Sequence, residues 1–194
     1  MIQKLIELDT SFFLFLNSFN SIFFDKVMWF ISGKYEWIPL YVVIIYFIFK
    51  KFKKEGFLIL IFIIISISLA DLVSVHLFKE VFQRLRPCHY PNINGIVHTV
   101  NNYCGGKYGF VSSHAANSFA IATFTTFLFK NKYFTYGIYF WAIIVSYSRI
   151  YLGVHYPFDI LGGAILGFVS GFLLILAFKK IEYKFFISKN NLNG

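Results

Sequence analysis

Charge is nearly absent from long stretches of this chain, and that constrains its fold more than any motif does. Apolar runs over about residues 37–52, 57–82, 113–129, 133–148 and 157–178 follow one another, separated by short polar segments. Hydrophobic residues make up 58% of the 194 and charged residues 14%, too apolar a balance for a water-soluble domain of this length. Each run approaches the ~20 residues a helix needs to cross a bilayer core, and a helix satisfies its own backbone there. The sequence therefore predicts an all-α integral membrane protein, a bundle of about five transmembrane helices forming one domain over residues 36–180.

Residues 1–35 read differently. Leu5, Ile6 and Leu8, then Phe12, Phe13, Phe15 and Leu16, are interrupted by Asp9, Asn17, Asn20, Asp25 and Lys26. A span here would bury an Asp–Lys pair, so an N-terminal amphipathic interfacial segment is expected instead. Lys4, Glu7 and Asp9 stand where a signal peptide would be apolar, and no cleavable leader is expected. The net charge of +9 sits in lysine clusters at the ends of apolar runs, which argues for membrane topology rather than for nucleic acid. In a five-span arrangement Lys50, Lys51, Lys53, Lys54, Lys130, Lys132 and the lysines of the 181–194 tail share one side, cytoplasmic by the positive-inside rule. The polar loop 88–111 and the stretch 149–159 then face the periplasm or outside of a cytoplasmic (inner) membrane. Both cysteines, Cys88 and Cys104, lie in that outward loop, where oxidising conditions allow either a disulfide or two unpaired thiols.

Three short motifs fall on the same outward face. Lys79 precedes Arg86-Pro87 by seven residues, close to two helical turns, which sets both cations on one stripe about 10 Å apart along a helix. Arg84 is expected on another face unless the last turn unwinds. Two such cations suit a phosphate, although lysine and arginine snorkelling at an interface gives the same pattern. The run at 113 opens with Ser112-Ser113-His114. A serine N-cap leaves backbone N–H groups free to hold an anion, and His114 can protonate a leaving group; a capping serine beside an interfacial His is the structural alternative. Finally, Ser148-Arg149 lead into His155 and Asp159. Four apart on a helix, these two share a face, so the carboxylate fixes one imidazole tautomer and frees the other nitrogen to attack. A His–Asp pair serving local structure alone is again the alternative. Asp71 and His76 are further ionisable groups inside an apolar run. Between Glu80 and Glu182 the only acid is Asp159, so a carboxylate-held divalent metal has no ligand set there, and no metal or cofactor is expected.

Together, Lys79 with Arg86-Pro87, then Ser112 to His114, then Ser148-Arg149 with His155 and Asp159 resemble, in order and spacing, the three signatures of the type-2 phosphatidic acid phosphatase superfamily over about residues 37–178. The resemblance implies a metal-independent membrane lipid phosphatase. In it Lys79, Arg86, Arg149, Ser112 and Ser113 would grip phosphate, His155 would become a phosphohistidine, Asp159 would orient it and His114 would protonate the departing oxygen. The implied partners are the bilayer and a lipid carrying a terminal phosphate as monoester or diphosphate. Undecaprenyl diphosphate or lipid A is favoured, ahead of phosphatidylglycerol phosphate or phosphatidic acid. A lipid phosphotransferase using the same intermediate and a non-catalytic anionic-lipid binder are the competing readings. The chain departs from the superfamily at Val111-Ser112-Ser113-His114, where Pro-Ser-Gly-His is usual; Ser113 in the glycine position narrows the approach of backbone to phosphate.

Overall fold

The computed structural model describes residues 2–182. Among these residues there are eight α-helices: α1 (Ile2–Asn17), α2 (Ile22–Ser32), α3 (Ile38–Phe52), α4 (Gly56–Leu72), α5 (Glu80–Phe82), α6 (Ser113–Phe129), α7 (Lys132–Tyr151) and α8 (Pro157–Glu182). A π-helical segment, Val73–Lys79, joins α4 to α5. The strand-type pairing among the described residues is an isolated antiparallel bridge between Leu85 and Tyr108. On length and composition two helical stretches qualify to cross a membrane, Ile38–Phe82 and Pro157–Glu182. The first folds back on itself at Lys53, whose φ is 49°, so that Ile44 and Ile45 of α3 face the same cavity as Leu60, Ile63 and Ile64 of α4. The expected tail begins within α8 at Ile181 and Glu182; its remainder, 183–194, lies outside the described residues.

Local chemistry sets the helix ends. Pro39 occupies the first turn of α3, where a missing N–H leaves no bond unmade. Asn131 caps α7 by accepting from the Phe134 N–H at 3.0 Å, and Lys130 closes α6 in the left-handed region. These tight turns stack the helices antiparallel. Lys51 donates to the Phe129 carbonyl at 3.2 Å, and Lys179 lies 6.0 Å from the Phe127 ring centroid. The lysine-bearing turns and the end of α8 therefore share one end of the bundle. The three signature motifs share the other.

The tightest contact is between α6 and α8. Gly163, Gly167 and Gly171 recur every fourth residue along α8, against Ala116 and Ala120 of α6. A Cβ on Gly167 would lie 2.1 Å from the Ala116 carbonyl oxygen, so the two backbones touch. Around this pair α3, α4 and α7 close an apolar core through Ile48, Ile59, Phe62, Phe124, Trp141 and Phe178. Ser170 adds a polar tie, its hydroxyl donating to the Ser66 carbonyl at 2.8 Å.

The first helix inverts the soluble pattern. Asp9, Phe13 and Asn17 are buried against the bundle, whereas Leu8, Phe12 and Phe15 point outward. Asn17 donates to the carbonyls of Ile150 and Tyr151 and accepts from the His98 N–H at 2.8 Å. Asp25 of α2 accepts from the Tyr151 hydroxyl at 2.7 Å and pairs with His98 at 2.8 Å. The polar residues that broke the apolar pattern of 1–35 thus hold α1 and α2 onto the end of the bundle that carries the motifs.

Candidate active site

Lys79 arrives from the π segment. Its ammonium donates to the Ser113 hydroxyl at 2.6 Å, and Ser74, five residues earlier, shares that hydroxyl at 2.6 Å. Ser113, which replaces the usual glycine, is therefore bound by two groups of the same segment. The helical stripe expected to carry Lys79 and Arg86 together does not form. Gln83 takes a left-handed conformation, φ 46°, and ends the helix at Phe82, five residues before Pro87. The chain then runs extended against the loop: the Arg86 N–H donates to the Lys107 carbonyl at 3.2 Å and the Gly109 N–H to the Arg84 carbonyl at 2.9 Å. Arg86 reaches the site through this pairing rather than through helical periodicity. Cys88 and Cys104 form a disulfide, with Cα atoms 5.9 Å apart, that closes the loop.

The start of α6 is as the sequence predicts. Ser112 is the N-cap, its hydroxyl accepting from the Ala115 N–H at 3.5 Å, and His114 stands in the first turn. The Ser112 N–H donates to the Asp159 carbonyl at 3.0 Å, which ties this turn to α8.

Arg149 ends α7 and is buried. It donates to the Ser32 hydroxyl, and its guanidinium lies 5.8 Å from the Tyr103 ring centroid. Gly153, at φ 73°, turns the chain back where a side chain would meet the His98 carbonyl at 2.6 Å. His155 follows in the connection to α8, and here the sequence reading needs correction. His155 and Asp159 do not share a helical face, because α8 begins at Pro157 and only Asp159 is inside it. Asp159 instead reaches back from the first turn, as the acid of a capping box does. Its Oδ2 accepts from the Tyr156 N–H at 3.0 Å and pairs with His155 Nδ1 at 3.4 Å. The contact between the carboxylate and Nδ1 is made all the same, from outside the helix.

Gly109 packs against this pair. A Cβ there would lie 3.0 Å from Asp159 Oδ2, 3.3 Å from Arg86 Cγ and 3.5 Å from His155 Nδ1. Arg86, His155 and Asp159 therefore meet around one glycine that sequence reasoning did not single out. Burial, followed by the charges of Arg86, Arg149 and Lys79, holds the His155 imidazole well below its ordinary pKa, so it is neutral. Arg86 Nη1 and Arg149 Nε are buried without a hydrogen-bond partner. Buried guanidinium donors left unpaired are costly, and an anion beside the neutral imidazole would satisfy both. Two cavities open from the site. One, of about 450 Å³, is lined by Arg149, His114, Tyr103 and Lys34. The other, of about 530 Å³, runs from His114 into an apolar space between α3, α4, α6 and α7.

Two ionisable residues of the site were missed by sequence. Arg84 donates to Asp159 Oδ1 at 2.9 Å and to Asp9 Oδ2 at 2.7 Å. Its spacing of two from Arg86 was the available signal. For Asp9 it was an acid interrupting the apolar pattern of residues 1–35. His76, by contrast, pairs with Glu80 at 3.1 Å on the outside of the bundle, away from the site, while Asp71 accepts from Asn117 at 3.5 Å and, through its carbonyl, from the Ser74 hydroxyl at 2.8 Å, at the edge of the site. The cluster Cys88, His89 and Cys104 has metal-like spacing, but the disulfide leaves only His89 to ligate.

Helices of this apolarity around a buried, cationic, histidine-bearing pocket define a membrane protein built to handle a phosphate. The sequence profile of the PAP2 superfamily matches residues 56–183, and the chain belongs to that superfamily. Among its relatives, the lipid A 4'-phosphatase of Porphyromonas gingivalis is 37% identical over 87% of this chain and 72% of its own length. The lipid A 4'-phosphatase of Bacteroides thetaiotaomicron is 38% identical over 93% of this chain and 81% of its own. Among solved structures, that of LpxE from Aquifex aeolicus superposes with a TM-score of 0.67 at 26% identity, covering 87% of this chain and 94% of that one.

Proposed function

We propose that this PAP2 phosphatase removes a terminal phosphate from a membrane lipid through a phosphohistidine at His155, without a metal. The observation that carries the proposal is the pair of unpartnered buried guanidinium donors, Arg86 Nη1 and Arg149 Nε, set around a neutral imidazole. Arg86, Arg149 and the Lys79–Ser113 pair bind the non-bridging oxygens, as fixed charges that stabilise the transferring phosphoryl group. His155 Nε2 attacks phosphorus as the bond to the lipid oxygen breaks. His114 gives that oxygen its proton, and Asp159 steadies the charge arising on the imidazole. Water, deprotonated by His114, then attacks the phosphohistidine; inorganic phosphate leaves and His155 is restored. Ser112 contributes as the cap that leaves the N–H groups of Ser113 and His114 free to face the anion.

In this reading α3, α4 with its π extension, α6, α7 and α8 are the five spans, and α1 and α2 lie at the interface. The lysine-bearing end is cytoplasmic and the site faces the periplasm or outside. The apolar cavity beginning at His114 gives an acyl or prenyl chain a sideways path from the bilayer. The two relatives at 37% and 38% identity favour lipid A over undecaprenyl diphosphate, phosphatidylglycerol phosphate and phosphatidic acid. The test is phosphate release by purified protein in detergent, with EDTA present, on a panel of lipid mono- and diphosphates. Release from lipid A above the others, inhibited by vanadate and absent in His155→Ala, is expected. Unchanged release by His155→Ala would overturn the mechanism. A phosphorylated acceptor in place of free phosphate would make the protein a phosphotransferase.

A further inference from the structure

Arg84 is unlike the other cations at this end of the bundle. Both of its terminal nitrogens are occupied: Nη1 by Asp159 Oδ1 at 2.9 Å, Nη2 by Asp9 Oδ2 at 2.7 Å. Its guanidinium lies 3.9 Å from the centroid of the Tyr156 ring. The second oxygen of Asp9 accepts from the Phe158 N–H at 2.9 Å, a donor in the first turn of α8 that has no partner within its own helix. Both carboxylates are fully buried. A continuous line of contacts thus runs from α1 through Arg84 to the oxygen of Asp159 opposite the one that meets His155. Both terminal nitrogens of Arg84 are turned to carboxylates, whereas Arg86 Nη1 and Arg149 Nε are buried without a partner.

We infer that Asp9 and Arg84 are positioning residues for His155, and that α1 is a working part of the active site. The inference rests on the reading of His155 as nucleophile. When His155 takes the phosphoryl group both its ring nitrogens are substituted and the imidazole becomes cationic. Asp159 must then be ionised and correctly placed at Nδ1. Arg84 favours the ionised carboxylate and fixes its plane with a directed donor. Asp9 in turn fixes the guanidinium and the first turn of α8, from which Asp159 projects. A lysine at position 84 cannot span both carboxylates, because the fork is what reaches two acceptors at once.

The experiment is steady-state and single-turnover kinetics of Asp9→Asn, Asp9→Glu and Arg84→Lys on the lipid phosphate the wild type hydrolyses, with inhibition by inorganic phosphate measured alongside. Asp9→Asn keeps the size of the side chain and one of its two hydrogen bonds. We expect kcat and the rate of the first turnover to fall roughly 10–100-fold in Asp9→Asn and Arg84→Lys, the scale on which groups that orient a working imidazole act. KM and phosphate inhibition stay within about twofold, since the phosphate-binding groups are untouched. Asp9→Glu, which keeps the charge, recovers part of the loss. Full activity in Asp9→Asn, or weakened phosphate inhibition with kcat unchanged, overturns the inference. His155→Ala in the same assay separates the two readings: if it is inactive while Asp9→Asn is fully active, only the positioning role fails.

Discussion

Replacing Gly167 by alanine adds one methyl group where α8 crosses α6, 2.1 Å from the Ala116 carbonyl oxygen, against an ordinary contact of at least 3.4 Å. Neither partner is a flexible side chain, so the helices must part by about 1 Å, since packed backbones do not interpenetrate. Overpacking of this kind costs about 1–3 kcal/mol, partly offset by the ~1 kcal/mol that alanine gains over glycine in a helix. Loosened contacts along Ala116 and Ala120 add to the cost, for a net loss near ~2 kcal/mol. For a chain of this size that is a fall of roughly 4–8 °C in Tm. The same displacement moves Ser112 and His114 relative to His155 and Asp159. A 1 Å misplacement of reacting groups lowers turnover by about 100-fold. Thermal unfolding and phosphate release in detergent test both halves. Gly171→Ala, where the new atom lies 2.6 Å from the Ala120 carbonyl oxygen, loses less, and Gly137→Ala on α7, with nothing within 4 Å, loses nothing. A Gly167→Ala protein that unfolds at the wild-type temperature with full turnover would refute the reasoning.

Two further outcomes are expected. The depressed pKa of His155 makes the folded state bind fewer protons than the unfolded chain in acid; its contribution to stability is present above the unfolded value of about 6.5 and is lost as pH falls below it toward the folded value. The wild type should therefore lose Tm between about pH 6.5 and 5 more steeply than His155→Gln, and equal slopes would show that the folded imidazole takes up the proton. Breaking the Cys88–Cys104 disulfide, 16 residues apart, should cost about 3 kcal/mol through loop entropy. It should also lower activity, because the loop carries Gly109 and the pairing that places Arg86; a reduced protein of unchanged Tm and turnover would count against this.

The apolar runs were legible because a bilayer leaves a chain few options; α3, α6, α7 and α8, and the continuous stretch from α4 through the π segment to α5, start and stop within a few residues of where hydropathy changes. The gathering of Lys79, Ser112, His114, Arg149, His155 and Asp159 at one end was also legible, since antiparallel connections fix which helix ends are neighbours. What failed was extrapolation of a local rule past its domain. Helical spacing was carried from Lys79 to Arg86 although Gln83 breaks the helix, and from His155 to Asp159 although Pro157 starts one. Arg84 and Asp9 were missed for a different reason: they are 75 residues apart in sequence, and only the docking of α1 makes them a pair. Gly109 stood in a loop that also holds Gly105 and Gly106, and nothing in the sequence says which glycine faces a carboxylate.

The π segment makes length itself a structural constraint in this part of the chain. Its wider turns place Lys79 and Ser74 together on Ser113. Deleting a single residue between 73 and 79 would let the α pattern close and swing Lys79 by about 100° around the helix axis, toward lipid. Exchanges among the apolar side chains of this stretch leave that angle alone. Its tolerance is therefore lopsided: open to substitution along its lipid-facing side, closed to any insertion or deletion, so that a reading-frame-preserving loss of one codon here would do more harm than several changes of residue.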